Sequence, residues 1–149
     1  MRTRTARTPE EMRAIGAELA TRLRRGDLVV LSGPVGAGKT TLVQGIAEGL
    51  KVRGPITSPT FVIARVHPSL CDGPALVHVD AYRLGGRLEV DDLDLDASLE
   101  ESVTVVEWGE DLVEALAEDR LEIEITLSPA GDERTLRITG VGPRWAGEF

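Results

Sequence analysis

The segment "DLVVLSGPVGAGKTTLVQGIAEGL", residues 27–50, restricts the fold of this chain more than any other. "DLVVLS" is a short apolar run of the kind that forms a buried strand, and "TTLVQGIAEGL" returns to helical spacing. The turn between them, "GPVGAGKT", fits G-x-x-x-x-G-K-[ST], with Gly33, Gly38, Lys39 and Thr40 at the fixed positions. The lysine stands out, because Lys39 and Lys51 are the only lysines among seventeen basic residues. Glycines let a backbone wrap an anion with successive N–H groups pointing inward. The helix that follows adds the positive end of its dipole. An ammonium on a slim stem can reach over such a loop, where a planar guanidinium fits badly. The competing reading is a glycine-rich turn with a chance lysine. The strand before it and the helix after it favour phosphate binding, with Lys39 on the β and γ oxygens of a triphosphate and the Thr40 hydroxyl offered to Mg²⁺.

The rest of the 149 residues fits one domain, 1–149, with an extreme N-terminus and a tail after about residue 142 expected to be flexible. "TPEEMRAIGAELATRLRRG" predicts a helix with Thr8 as N-cap, Pro9 at its first position, Glu11 closing a capping box and Gly26 ending it. Met12, Ile15, Leu19 and Leu23 form its apolar stripe. "TFVIARV", "ALVHVD", "VTVVEW", "LEIEITL" and "RTLRITG" are strand-like, with "SPAGDE" a hairpin connection between the last two. "WGEDLVEALAED" reads as helix. The chain thus begins as strand–helix units and finishes antiparallel. That predicts an α/β domain of the P-loop NTPase kind, its mixed parallel and antiparallel sheet flanked by helices.

Charge narrows the function. The net charge of −8 is uneven: residues 1–26 carry seven arginines against three glutamates, whereas residues 86–124 carry fifteen acids against Arg87 and Arg120. Strong direct binding of nucleic acid would need the reverse balance. The acidic half is a solvated face or a surface for a basic partner. No apolar run approaches the length of a membrane span, and the N-terminus lacks a secretory apolar core. With Cys71 as the lone cysteine, these features predict a cytoplasmic protein that neither crosses nor binds a membrane.

Two further strands end in acids, "ALVHVD" in Asp80 and "VTVVEW" in Glu107. In an open α/β sheet such ends lie by the ligand crevice. Each acid is therefore either a metal-shell or water-orienting group or a solvated strand cap. "TSPTF", Thr57–Phe61, is a turn entering a strand or a second contact loop. For His78 a core or surface position is the plainer reading, and for Tyr82 and Trp108 a place in the core.

Taken in order, "GPVGAGKTTL", "SPTF", "HVDAYRL" and "VEWGE" resemble the marks of the bacterial threonylcarbamoyladenosine biosynthesis ATPase family, the TsaE type. The resemblance covers most of the chain. It departs at Pro34, where the family usually has an acid, and at Met12, where a threonine is common. It implies a small mixed-sheet protein that binds ATP or ADP and hydrolyses ATP with Mg²⁺. It also implies partnership with a two-protein threonylcarbamoyl transferase, a heterodimer that itself engages tRNA, and a role for hydrolysis in repeated turnover. Carried over by position, Gly33 and Gly36, Ala37, Gly38, Lys39, Thr40 and Thr41 cradle the phosphates. Thr40 and Glu107 hold Mg²⁺, and Asp80 is a further metal-shell or water-orienting acid. Lys39, Glu107 and Asp80 are then the catalytic set. Thr60 acts as a switch-loop hydroxyl, Trp108 lies by the nucleotide, Thr8 and Pro9 border the adenine, and Arg134 reaches in from the late hairpin. Arg83 is a candidate arginine finger that also fits a structural role, so weak activity alone and stimulation by a partner are expected. Two other classes share the phosphate loop: a small-molecule kinase and an ATP-loaded switch that needs no hydrolysis.

Overall fold

The computed structural model describes residues 2–33, 38–52, 64–71, 73–80, 102–107, 119–129 and 133–145. Among them, seven strands form one sheet: β1 (Arg2–Ala6), β2 (Leu28–Ser32), β3 (Ala64–His67), β4 (Ala75–Asp80), β5 (Ser102–Glu107), β6 (Arg120–Leu127) and β7 (Arg134–Val141). Helix α1 (Pro9–Ala20) joins β1 to β2, and α2 (Lys39–Leu50) follows the glycine turn. The strand order is β1-β7-β6-β2-β5-β4-β3. The inner four, β6-β2-β5-β4, run parallel, while β7, β1 and β3 pair antiparallel at the two sides. The mixed sheet predicted from sequence is thus present, with an antiparallel pair at each side rather than only at the end of the chain.

Strand alternation sorts the side chains. Val29 and Leu31 of β2, Val103 and Val105 of β5, Leu121, Ile123 and Ile125 of β6, and Leu136 and Ile138 of β7 face the two helices and form the core with them. Val30, Val77, Val79, Thr104 and Val106 point to the opposite face, and they too are buried. Burial on both faces explains why β2, β4 and β5 read as near-continuous apolar runs.

The helices meet closely because glycines line the contact. A Cβ on Gly45 would stand 2.1 Å from the carbonyl oxygen of Arg13, and one on Gly16 would stand 2.4 Å from that of Leu42. Ion pairs Arg4–Glu18 at 2.8 Å and Arg13–Glu48 at 3.7 Å lie at the exposed rim, where such pairs contribute little.

Three expectations are corrected. Helix α1 ends at Ala20, with Thr21 as its C-cap, not at Gly26. Gly26 instead sits at φ 92° in a turn closed by the Asp27 amide on the Arg24 carbonyl, and its own amide donates to Ser102. The apolar stripe misled because Leu23 is buried beyond the helix end. The capping box is also shifted: Thr8 Oγ1 accepts from the Glu11 amide, but Glu11 Oε2 accepts from Arg7 rather than from Thr8. Finally, neither terminal segment is loose throughout. Arg2–Ala6 is a strand paired along its length with β7, and Pro143–Trp145 forms a 3₁₀ turn that buries Trp145. The predicted helix "WGEDLVEALAED" falls almost wholly outside the described residues.

Candidate functional site: the strand ends and the glycine turn

The three parallel strands β2, β5 and β4 run side by side, with Leu31 opposite Glu107 and Glu107 opposite Asp80. Their carboxyl ends therefore bring the glycine turn and two acids to one rim of the sheet. This is the rim where ligands bind in open α/β sheets.

At the turn, Gly33 has φ 151° and Gly38 has φ 99°, both in the region that glycine tolerates and other residues avoid. Gly38 is the N-cap of α2 and supplies no side chain to cap it, and the first turn holds no acid. Helix α1 differs on both counts, with Thr8 capping it and Glu10 and Glu11 in its first turn. The start of α2 thus keeps its positive end and its amide donors for another acceptor. Lys39, in the first helical position, is 8% exposed, and its ammonium donates to the Gly33 carbonyl at 2.7 Å. That bond folds the stem back over the turn. Thr40 and Thr41 are half-buried beside it.

Glu107, at the end of β5, is 5% exposed. Its Oε2 lies 2.9 Å from Nε2 of His78 on β4, and His78 is fully buried. Sequence reasoning left His78 either in the core or on the surface and missed this contact. Which strand lies beside β4 cannot be read from its own pattern, so nothing in the sequence pointed to the pair; in the sheet His78 stands opposite Val105, one side-chain step below Glu107 on the same face. The Asp80 backbone completes β4 in register with Glu107.

A cleft of ≈ 190 Å³ adjoins the turn, lined by Thr8, Pro9, Met12, Gly38, Thr41 and Arg134. It brings together the start of α1, the start of α2 and the first residue of β7, three places far apart in sequence. Met12 reaches the turn itself: a Cβ on Gly38 would stand 3.1 Å from Met12 Cε. Gly36, Ala37, Thr60, Arg83 and Trp108 lie outside the described residues.

A strand, a glycine turn with a buried lysine, a helix whose N-terminus has no side-chain cap, and acids on the neighbouring parallel strands define the class of phosphate-loop α/β proteins. Residues 6–136 match the family described as Threonylcarbamoyl adenosine biosynthesis protein TsaE, and the chain belongs to that family. It is 64% identical over 139 residues to the tRNA threonylcarbamoyladenosine biosynthesis protein TsaE of Streptomyces coelicolor, covering 91% of this chain and 94% of the relative. The Bacillus subtilis protein of the same name is 40% identical, over 92% of this chain and 84% of its own length. The crystal structure of Bacillus subtilis YdiB superposes with a TM-score of 0.75 at 36% identity, covering 97% of this chain and 88% of that one.

Proposed function

We propose that this chain binds Mg·ATP at the glycine turn and hydrolyses it in support of threonylcarbamoyladenosine biosynthesis in tRNA, the process that its relatives are named for. The observation that carries the reading is the buried Lys39 held over the start of a helix with no side-chain cap, one strand away from the buried carboxylate of Glu107.

The amides at the start of α2 and the Lys39 ammonium bind the phosphate oxygens. Bound there, Mg²⁺ would supply charge neutralisation at the phosphate oxygens. The residues fit that ion. Thr40 offers a hydroxyl and Glu107 a carboxylate, both hard oxygen donors, and Asp80 follows in register. Among the described residues no three His, Cys, Asp or Glu side chains gather into a metal cage. An ion carried in on phosphates needs only one or two protein ligands. Glu107 or Asp80 then orients the attacking water. The cleft bordered by Thr8, Pro9 and Arg134 receives the adenosine end, because it shares Gly38 with the phosphate turn. The partner is a threonylcarbamoyl transferase pair, which holds the tRNA while this acidic chain does not.

Phosphate release from Mg·ATP, measured for the chain alone and with the transferase pair added, tests the proposal. Release that is slow alone, rises with the pair and disappears in Lys39→Ala supports it. A rate indifferent to the pair returns the kinase and free-ATPase readings, and full partner function in Glu107→Gln favours the hydrolysis-free switch.

A further inference from the structure

The contact between His78 and Glu107 is a buried polar pairing at the site that the phosphate-loop chemistry leaves unused. We infer that His78 is a positioning residue for Glu107: its Nε2–H holds Oε2 of the carboxylate, so that Oε1 is the oxygen turned to the work of the site. The inference rests on the reading that Glu107 acts on the metal or the attacking water.

Packing alone does not account for a histidine here. The same face of β4 and β5 carries Leu76, Val103 and Val105, all buried in the core. An aliphatic side chain would continue that layer with no polar atoms to satisfy. His78 instead buries Nδ1 with no hydrogen-bond partner among the described residues, a destabilising arrangement. What it gains is the 2.9 Å bond to Glu107. Among the described residues a proton on Nδ1 would meet no acceptor, so the Nε2–H tautomer is the one these surroundings accept.

Glu107 in turn needs holding. Its side chain has three rotatable bonds, and it stands at the last position of its strand. Among the described residues its other oxygen, Oε1, makes no hydrogen bond. Register supplies the geometry: His78 lies opposite Val105 and Asp80 opposite Glu107, so His78 reaches up the sheet by one side-chain step. A carboxylate fixed at one oxygen by a second group is how ligand orientation is commonly secured.

The test compares His78→Phe, which keeps the ring and loses the donor, His78→Asn, which is too short to reach, and His78→Gln, whose amide nitrogen can stand near the place of Nε2. Two quantities are measured: partner-stimulated phosphate release at saturating ATP, and Mn²⁺ affinity in the presence of ADP by spin-resonance titration. Phe and Asn are expected to lower both about 10- to 100-fold, with metal-free ATP affinity kept within about twofold, and Gln to recover most of each loss. A folded Phe or Asn variant with parental release and Mn²⁺ affinity overturns the inference, as does a Gln variant no better than Phe. Should Asn fail to fold, Phe carries the comparison, since it fills the ring's volume. Glu107→Gln separates the two readings. Parental release in that variant removes Glu107's role and this inference together. Its loss beside an unaffected His78→Phe removes the inference alone.

Discussion

Lys39 and Glu107 are charged yet only 8% and 5% exposed, and a buried charge is stable only when paired or hydrogen-bonded. Lys39 donates to the Gly33 carbonyl, and Glu107 is bonded to His78. Hydrogen bonds to charged groups are worth about 1.5–3 kcal/mol. Lys39→Ala should therefore weaken ATP binding about 10- to 100-fold by calorimetric titration, and Lys39→Arg should not restore it, because the planar fork cannot follow the stem's path over the turn. Parental affinity in the arginine variant would contradict that account. Lys39 and Glu107 were both legible in the sequence, one from motif spacing and the other as an acid ending an apolar strand. The bond between Glu107 and His78 was not. It joins residues 29 apart in sequence and depends on which strands are neighbours, which one strand's pattern cannot tell.

At the scale of the element, the two helices begin in opposite ways. Helix α1 is closed by Thr8, and Thr8→Ala should cost about 1 kcal/mol, read as a lower urea midpoint with an unchanged slope. Helix α2 is judged by its glycines. Intrinsic propensity favours Gly45→Ala by about 1 kcal/mol, but the new Cβ would meet the Arg13 carbonyl oxygen at 2.1 Å. Backbone cannot yield as a flexible side chain can, so overpacking should win, for a net loss of roughly 1–3 kcal/mol. A more stable alanine variant would mean that the helices can part without cost. The strand β2, the turn and α2 were readable because an apolar run, glycine and helical spacing agree there. Strand β1 was not readable. "RTRTA" has no apolar alternation along its length, and it is a strand because β7 offers an edge, a fact of tertiary pairing alone.

Across the whole molecule, the segment after β7 acts as a clasp. Trp145 is 1% exposed and packs on Gly140, where a Cβ would stand 2.5 Å from its own. Next to it, Arg144 holds both carboxylate oxygens of Asp27 at 3.1 Å and donates to the Arg22 carbonyl at 2.7 Å. Trp145→Ala should cost about 3–5 kcal/mol, visible as a large fall in the unfolding midpoint with the residues of the glycine turn unchanged. A shift within error would mean that the indole contributes packing of no consequence. Sequence reading expected a loose tail there because a lone "PRW" has no periodicity to report. Its partners are Asp27 and Gly140, set by the fold of everything before it.

The cleft beside the glycine turn has Thr8 on one side and Arg134 on the other. A ribosome releases the first of these well before the second, at roughly 5–20 residues per second. Until β7 has emerged, β1 has no strand to pair with and the cleft lacks one wall. The nascent chain is therefore expected to carry an unfinished cleft until that strand is made. The nucleotide proposed above could brace only a molecule whose sheet is already shut.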